Sequence, residues 1–343
     1  MDQTLGEPFV LRVVEALARE GEFLERLRTG PDLQLIERRA TGRSRLYILG
    51  ADATRPEFVV KVPLTDSPSD HPPLSARSQF DALERAHAWF RTDDRHSVAR
   101  PIALLEDLDA LIMGYAAGPT VAQAVNRCLV DGRSALAAVD AAGDLLRRLH
   151  GFAEVEAVDV NLRAVADELA ASEAAVLGPA GLSFPDQVHK ALEAAPSAVI
   201  RVRRALLHGD YVGANLVLTG PSNIAMIDPA LFESGYPEDD VARFFTHLSS
   251  ATPFLAGRVW RPSKTMRLAL ERRFLAAYGQ LPNPPALFEL RLLRQHVLRW
   301  RRRIELSRWQ GSGLLMGARK RVVDVHMRRL LVESATRLLG HIS

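Results

Sequence analysis

Apolar residues recur at helical spacing from Leu11 to Leu27, predicting an N-terminal helix. The period then shortens. Leu33–Glu37, Leu46–Leu49 and Phe58–Val62 read as strands, joined by the turn formers Thr41-Gly42-Arg43-Ser44 and Gly50-Ala51-Asp52-Ala53. A Pro- and Ser-rich loop, 65–75, precedes a helix over Ser78–Phe90, and Ala103–Leu105 and Leu111–Met113 read as two further short strands. Beyond Gly118-Pro119 the pattern turns helical. Val139, Ala142, Leu145, Leu146 and Leu149 make one stripe on a helix over Ser134–Phe152. Two or three helices are expected in Asn161–Arg204, which is rich in Ala, Leu and Glu. A hairpin follows, Leu216–Leu218 and Ile224–Ile227 around Gly220-Pro221-Ser222-Asn223, and everything beyond Pro237 reads as helix. A strand-rich first part before a helix-rich second part gives an α+β class with two lobes. We expect an N-lobe over 1–113 (N-terminal helix, antiparallel sheet and one helix) and a helical C-lobe over 114–343.

Composition narrows the class. At 343 residues, 47% hydrophobic and 25% charged, the chain is ordinary for a globular protein. No run of about 18 apolar residues predicts a membrane span. Met1-Asp2-Gln3-Thr4 lacks the basic and apolar regions of an export signal. The single cysteine, Cys128, excludes an intrachain disulfide framework and fits a reducing cytoplasm. Net charge is +3 but uneven: 251–343 holds 19 Lys and Arg against 5 Asp and Glu, a balance of +14, while 1–250 carries −11. The basic part therefore meets something acidic or lies against the rest of the chain. Trp300 and Trp309 read as packing residues. The run Arg299-Trp300-Arg301-Arg302-Arg303 reads first as a basic helix face packed on acidic residues, and second as a contact for nucleic acid or anionic membrane.

The candidate chemistry lies in Leu206-Leu207-His208-Gly209-Asp210-Tyr211-Val212-Gly213-Ala214-Asn215, followed by Ile227-Asp228-Pro229. Asn215 and Asp228 supply oxygen donors suited to a hard cation such as magnesium. Asp210 is placed to face an attacking hydroxyl, and the hairpin returns Asp228 towards the same loop. Phosphoryl transfer asks a protein for little beyond such positioned charges.

This segment resembles the aminoglycoside phosphotransferase and choline kinase superfamily, relatives of the protein kinases, whose catalytic loop reads H-G-D-x-x-x-x-N. The resemblance runs in order from about Leu33 to Leu248 and implies several roles. Asp210 would be the catalytic base, and Asn215 and Asp228 the ligands of Mg²⁺. Lys61, in Phe58-Val59-Val60-Lys61-Val62, would contact the phosphates, with Glu84 as its ion-pair partner. Leu111-Ile112-Met113-Gly114-Tyr115 would be the hinge, with Met113 and Tyr115 beside the base of ATP or GTP. His208 would brace the loop, as would Asp240 in Pro237-Glu238-Asp239-Asp240-Val241-Ala242-Arg243-Phe244. Departures are Tyr211-Val212-Gly213-Ala214 in place of Leu-His-Pro-Gly, Gly114 at a hinge position that is often acidic, and a phosphate loop whose one glycine is Gly42. The implied function is a kinase moving the γ-phosphate of ATP or GTP onto a small-molecule hydroxyl, with the nucleotide bound between the lobes. Ile227-Asp228-Pro229-Ala230 also resembles fructosamine kinases. The alternative outside the enzyme class is a pseudokinase that binds nucleotide or docks a partner without turnover. If the basic C-terminal region lines the acceptor site, the acceptor is anionic.

Overall fold

The computed structural model describes residues 33–41, 44–64, 74–153, 155–230, 232–256, 261–309 and 314–342. The expected N-terminal helix and most of the loop over 65–75 lie outside these. The chain divides into two compact units, one of 1–118 with 217–230 and one of 119–216 with 231–343. The hairpin that carries Asp228 thus groups with the N-terminal unit.

In the first unit, β1 (Gln34–Ala40), β2 (Ser44–Gly50), β3 (Pro56–Pro63), β5 (Pro101–Leu105) and β6 (Ala110–Gly114) form an antiparallel sheet of order β1-β2-β3-β6-β5. Alternation sorts β3 into two faces. Phe58 and Val60 pack with Tyr47, Leu49, Ala103 and Ile112, whereas Lys61 points to the opposite face, across from Leu46 and Leu111 in register. Helix α1 (Ala76–Phe90) starts at Ser75, whose hydroxyl accepts the Ser78 N–H. Its buried face is Ala82, Leu83, Ala86 and Phe90. A smaller sheet sets β10 (Ile224–Met226) between β4 (His96–Val98), to which it is parallel, and β9 (Leu216–Leu218).

The second unit is mostly helical: α2 (Val121–Asn126), α3 (Gly132–His150), α4 (Leu162–Val176), α5 (Asp186–Glu193), α6 (Pro237–Ser249), α7 (Thr252–Ala256), α8 (Arg261–Tyr278), α9 (Pro285–Trp309) and α10 (Leu314–Ile342). Thr120 and Gln123 form a reciprocal capping box on α2. One core joins α4, α5, α9 and α10 through Leu169, Leu192, Leu293, Trp300 and Leu331. A second, aromatic one joins α6 to α8, with Phe244 stacked on Phe274 at 4.5 Å between centroids and Phe245 edge-on to Phe274 at 5.4 Å.

The expectation of two or three helices in Asn161–Arg204 is met by α4 and α5, but the structure adds strands at both ends. Beside α4 and α5, β7 (Val155–Asn161) and β8 (Val199–Leu207) pair antiparallel, and β11 (Phe232–Gly235) completes a three-stranded sheet of order β11-β8-β7. The β-branched Val199, Ile200 and Val202 favour a strand. Among the described residues no helix is long and apolar enough to cross a membrane. Cys128 is buried, and burial pushes its thiol up. Trp300 is also buried, with its indole N–H donating to Asp324 at 2.8 Å.

Phe274 has no exposed surface. Phe274→Ala should lower stability by about 3–5 kcal/mol, read from the urea midpoint, because a ring-sized cavity opens beneath Phe244.

Candidate functional site

In the second unit, β8 delivers the chain into His208-Gly209-Asp210. Gly209 has φ +81°, a left-handed conformation that a side chain disfavours. It turns the backbone so that two successive amides face one carboxylate. The His208 N–H donates to Asp240 Oδ2 at 2.7 Å, and the Gly209 N–H donates to Oδ1 at 3.0 Å. Asp240 lies on α6 and is buried. Burial by itself would raise its carboxyl, but His150 and the His208 side bring it below the ordinary value. His150 on α3 contacts Asp240 Oδ2 through Nε2 at 3.3 Å, and its Nδ1 is 2.9 Å from the Tyr278 hydroxyl. Tyr211, fully buried, donates its hydroxyl to the Ala142 carbonyl at 2.5 Å. The loop is thus fixed to α6 and α3 at its start and its middle.

Asp210 stands on this frame with its side chain 29% exposed. Its N–H donates to His208 Nδ1 at 3.3 Å. Asn215, in a 3₁₀ turn over Gly213–Asn215, donates through Nδ2 to the Asp210 carbonyl at 2.9 Å and to Oδ2 at 3.4 Å. With the amide nitrogen so oriented, the Asn215 Oδ1 is directed away from Asp210. Arg243, one turn beyond Asp240 on α6, approaches Asp210 Oδ1 through Nη1 at 3.3 Å. Asp240, Arg243 and His247 fall at i, i+3 and i+7, one face of the helix. His247 is partly buried, with Nε2 3.4 Å from Arg299 Nη1, and desolvation, then the Arg299 charge, hold it well below the usual histidine range.

In the first unit, Lys61 is 5% exposed and forms an ion pair with Asp228, which follows β10. A buried ammonium requires such a partner. Asp228 has φ +61°, left-handed backbone held at the end of a buried strand. The expected pair of Lys61 with Glu84 is not formed. Glu84 sits on the side of α1 away from Ala82, Leu83 and Ala86 and is exposed. Met113 is buried in β6 opposite Val59. The Gly114 N–H is committed to the Arg100 carbonyl, and the Tyr115 N–H to the Glu57 carbonyl, both at 2.8 Å.

The structure therefore joins Lys61 to Asp228 in one unit and Asp210 to Asn215 in the other, and leaves Glu84 apart. Among the described residues no three His, Cys, Asp or Glu side chains cluster as a metal site. The donors of Asn215 and Asp228 are nevertheless hard oxygens, and magnesium commonly takes one or two protein ligands and fills its shell with phosphate and water. The residues present suit that ion. Sequence reasoning assigned no role to Arg243 or His247. Their signal was the i, i+3, i+7 spacing from Asp240.

Residues 35–293 match the model of the family described as "Phosphotransferase enzyme family" (APH). A search of curated proteins found no match. Among solved structures, a choline/ethanolamine kinase family protein from Mesorhizobium loti is 16% identical, with 96% of this chain and 98% of that one covered and a TM-score of 0.54. A glucosamine kinase solved with glucosamine, ADP and inorganic phosphate is 18% identical, with 97% and 83% covered and a TM-score of 0.53. At these identities the likeness is one of fold: the protein-kinase-like α+β class expected from the sequence.

Asp240→Ala should cost about 3–5 kcal/mol, since two buried amides and His150 lose their acceptor. Asp240→Asn, which keeps one acceptor oxygen, should cost less. With its folded-state carboxyl depressed, Asp240 contributes fully above the ordinary carboxylate pKa of about 3.9 and loses that contribution as pH falls through the lower folded value. The gap in urea midpoint between wild type and Asp240→Asn should therefore shrink from pH 7 towards pH 3. A constant gap would contradict this.

Proposed function

Because this chain belongs to the phosphotransferase enzyme family, we propose that it moves the γ-phosphate of ATP or GTP onto a hydroxyl of a small molecule with the aid of magnesium. The observation that carries this reading is the setting of Asp210. Its carboxylate is partly exposed, steadied by Asn215 and Arg243, and mounted on a loop whose backbone is clamped by buried Asp240. A carboxylate so held can accept or orient the proton of an acceptor hydroxyl, a role worth roughly 10²–10⁴ in rate. The Asn215 amide oxygen and the Asp228 carboxylate would hold magnesium, which supplies positive charge to the phosphate oxygens when bound.

Lys61 would neutralise the phosphates. Its buried position makes it an unscreened charge, and its pairing with Asp228 keeps the two side chains placed in the free protein. Around Met113 and Tyr115 the base of the nucleotide would be met by backbone groups. Since the Tyr115 amide is already committed to Glu57, Tyr115 would offer its carbonyl. Glu84 has no part in this reading. A buried, unpaired Cys128 suits a reducing compartment, which we read as the cytoplasm.

Thermal unfolding with ATP or GTP, with and without Mg²⁺, tests the nucleotide site. A ligand at 100 times its dissociation constant should stabilise the fold by about 2.7 kcal/mol. The shift should require Mg²⁺ and vanish in Asp228→Ala. In Asp210→Ala the nucleotide shift should persist while ADP release in the presence of an acceptor falls by roughly 10²-fold or more. No shift with either nucleotide in the wild type would overturn the proposal, and equal loss of binding and turnover in Asp210→Ala would overturn the role given to Asp210.

A further inference from the structure

A pocket of about 240 Å³ opens in the second unit beside the Asp210 loop. One wall is the backbone of Gly213 and Ala214, within three to four residues of Asp210 in sequence. Helix α2 supplies another wall. It approaches so closely that a Cβ on Gly213 would lie 2.9 Å from the Ala122 nitrogen. The end of α6 contributes His247, and α9 contributes Arg299 and Arg303, which stand i and i+4 on one face. Among the described residues the lining contains two arginines and no carboxylate.

Several basic side chains of this unit are already answered by acids. Arg267 bridges Glu271 and Glu333 at 2.7 Å, Arg337 meets Glu289 at 2.7 Å, and Arg301 meets Glu305 at 2.8 Å. Arg299 differs. Its Nε is buried with no hydrogen-bond acceptor among the described residues, and its Nη1 faces a neutral histidine. Burial and the charges of Arg303 and Arg302 bring its guanidinium down to about 9, still protonated at neutral pH. A cation partly withdrawn from water, lining a cavity beside other cations and with Asp210 as an opposing charge, gains from an entering anion. The planar fork of Arg is suited to the two oxygens of a carboxylate or phosphate.

We propose that this pocket binds the anionic group, a carboxylate or phosphate monoester, of a hydroxyl-bearing acceptor, with Arg299 and Arg303 as its cationic residues. The acceptor role rests on the phosphotransferase reading above; the anion site itself does not. The pocket has room for a small acceptor, and its Gly213-Ala214 wall keeps an anchored molecule close to the Asp210 loop. A polycationic acceptor would meet repulsion from the same two charges.

The test uses the full chain and inorganic phosphate as probe, titrated by calorimetry with and without saturating Mg–ADP. Wild type should bind phosphate in both conditions. Arg299→Gln and Arg303→Gln should each weaken that binding on the order of 10-fold or more, and Arg299→Lys should restore part of it. Arg299 and Arg303 are both partly buried, so agreement between the two variants guards against a folding defect in either one. ADP release should then be faster with hydroxy acids or sugar monophosphates than with amino alcohols or aminosugars, and the class that responds separates carboxylate from phosphate. Unchanged phosphate affinity in both Gln variants would overturn the proposal, and so would complete displacement of phosphate by Mg–ADP. If phosphate binding fails in the variants while Mg–ADP binds no form of the protein, the anion site stands and the phosphotransferase reading falls instead.

Discussion

One buried carboxylate governs the second unit. Asp240 accepts two successive backbone amides, those of His208 and Gly209, one on each carboxylate oxygen. A carboxylate in apolar surroundings is expensive, so the hydrogen bonds that compensate it are in effect obligatory. The direction in which Asp210 leaves the strand is set by this constraint. So is the need for glycine at 209, because only a left-handed residue lets both amides point the same way. His150 and Tyr278 extend the constraint to α3 and α8.

The helix that carries Asp240 organises more than the loop. Its first turn is acidic, Glu238, Asp239 and Asp240, where the helix dipole favours negative charge. Burial pushes Glu238 and Asp239 up, opposite to Asp240, because each has fewer compensating donors: Glu238 receives the Asn283 amide at 2.8 Å, and Asp239 has Arg291 at 3.8 Å. Further along the same face Arg243 reaches Asp210 and His247 reaches Arg299. A single rigid element thus fixes the loop backbone, steadies a carboxylate and orients a pocket cation. Phe244, at i+4 from Asp240, and its neighbour Phe245 pack on Phe274, which keeps the helix from rotating.

This explains what the sequence could and could not reveal. His208-Gly209-Asp210 with Asn215 was legible because the chemistry is local and the spacing short. The first sheet was legible because Phe58–Val62 is a short Val-rich run and turn formers bound the neighbouring strands. The strands β7, β8 and β11 were not, since Val155–Asn161 and Val199–Leu207 flank two genuine helices and mix β-branched residues with arginines and alanines that suit either state. Glu84 was chosen from its position on a helix, but the helix phase is set by Ala82, Leu83, Ala86 and Phe90, which turn it outward. Lys61 finds its partner 167 residues away, a distance in sequence that no periodicity reports.

The uneven charge of the chain has a similar resolution. A balance of +14 over the last 93 residues invited a search for an external polyanion. In the folded unit much of that charge is internal. Arg267, Arg329 and Arg337 stitch α8, α9 and α10 through Glu271, Glu289 and Glu333, and Arg328 covers the Trp300 ring at 5.5 Å. Partly buried ion pairs of this kind contribute little net stability, because desolvation offsets much of their attraction. Once they are set aside, the positive potential that remains near the Asp210 loop is concentrated rather than spread, because Arg299 and Arg303 share one face of α9 and a low-dielectric wall. A diffuse basic surface would attract any polyanion. Two guanidinium groups lining a small cavity, as proposed above for the acceptor's anionic group, would instead select for charge, size and the position of a hydroxyl together.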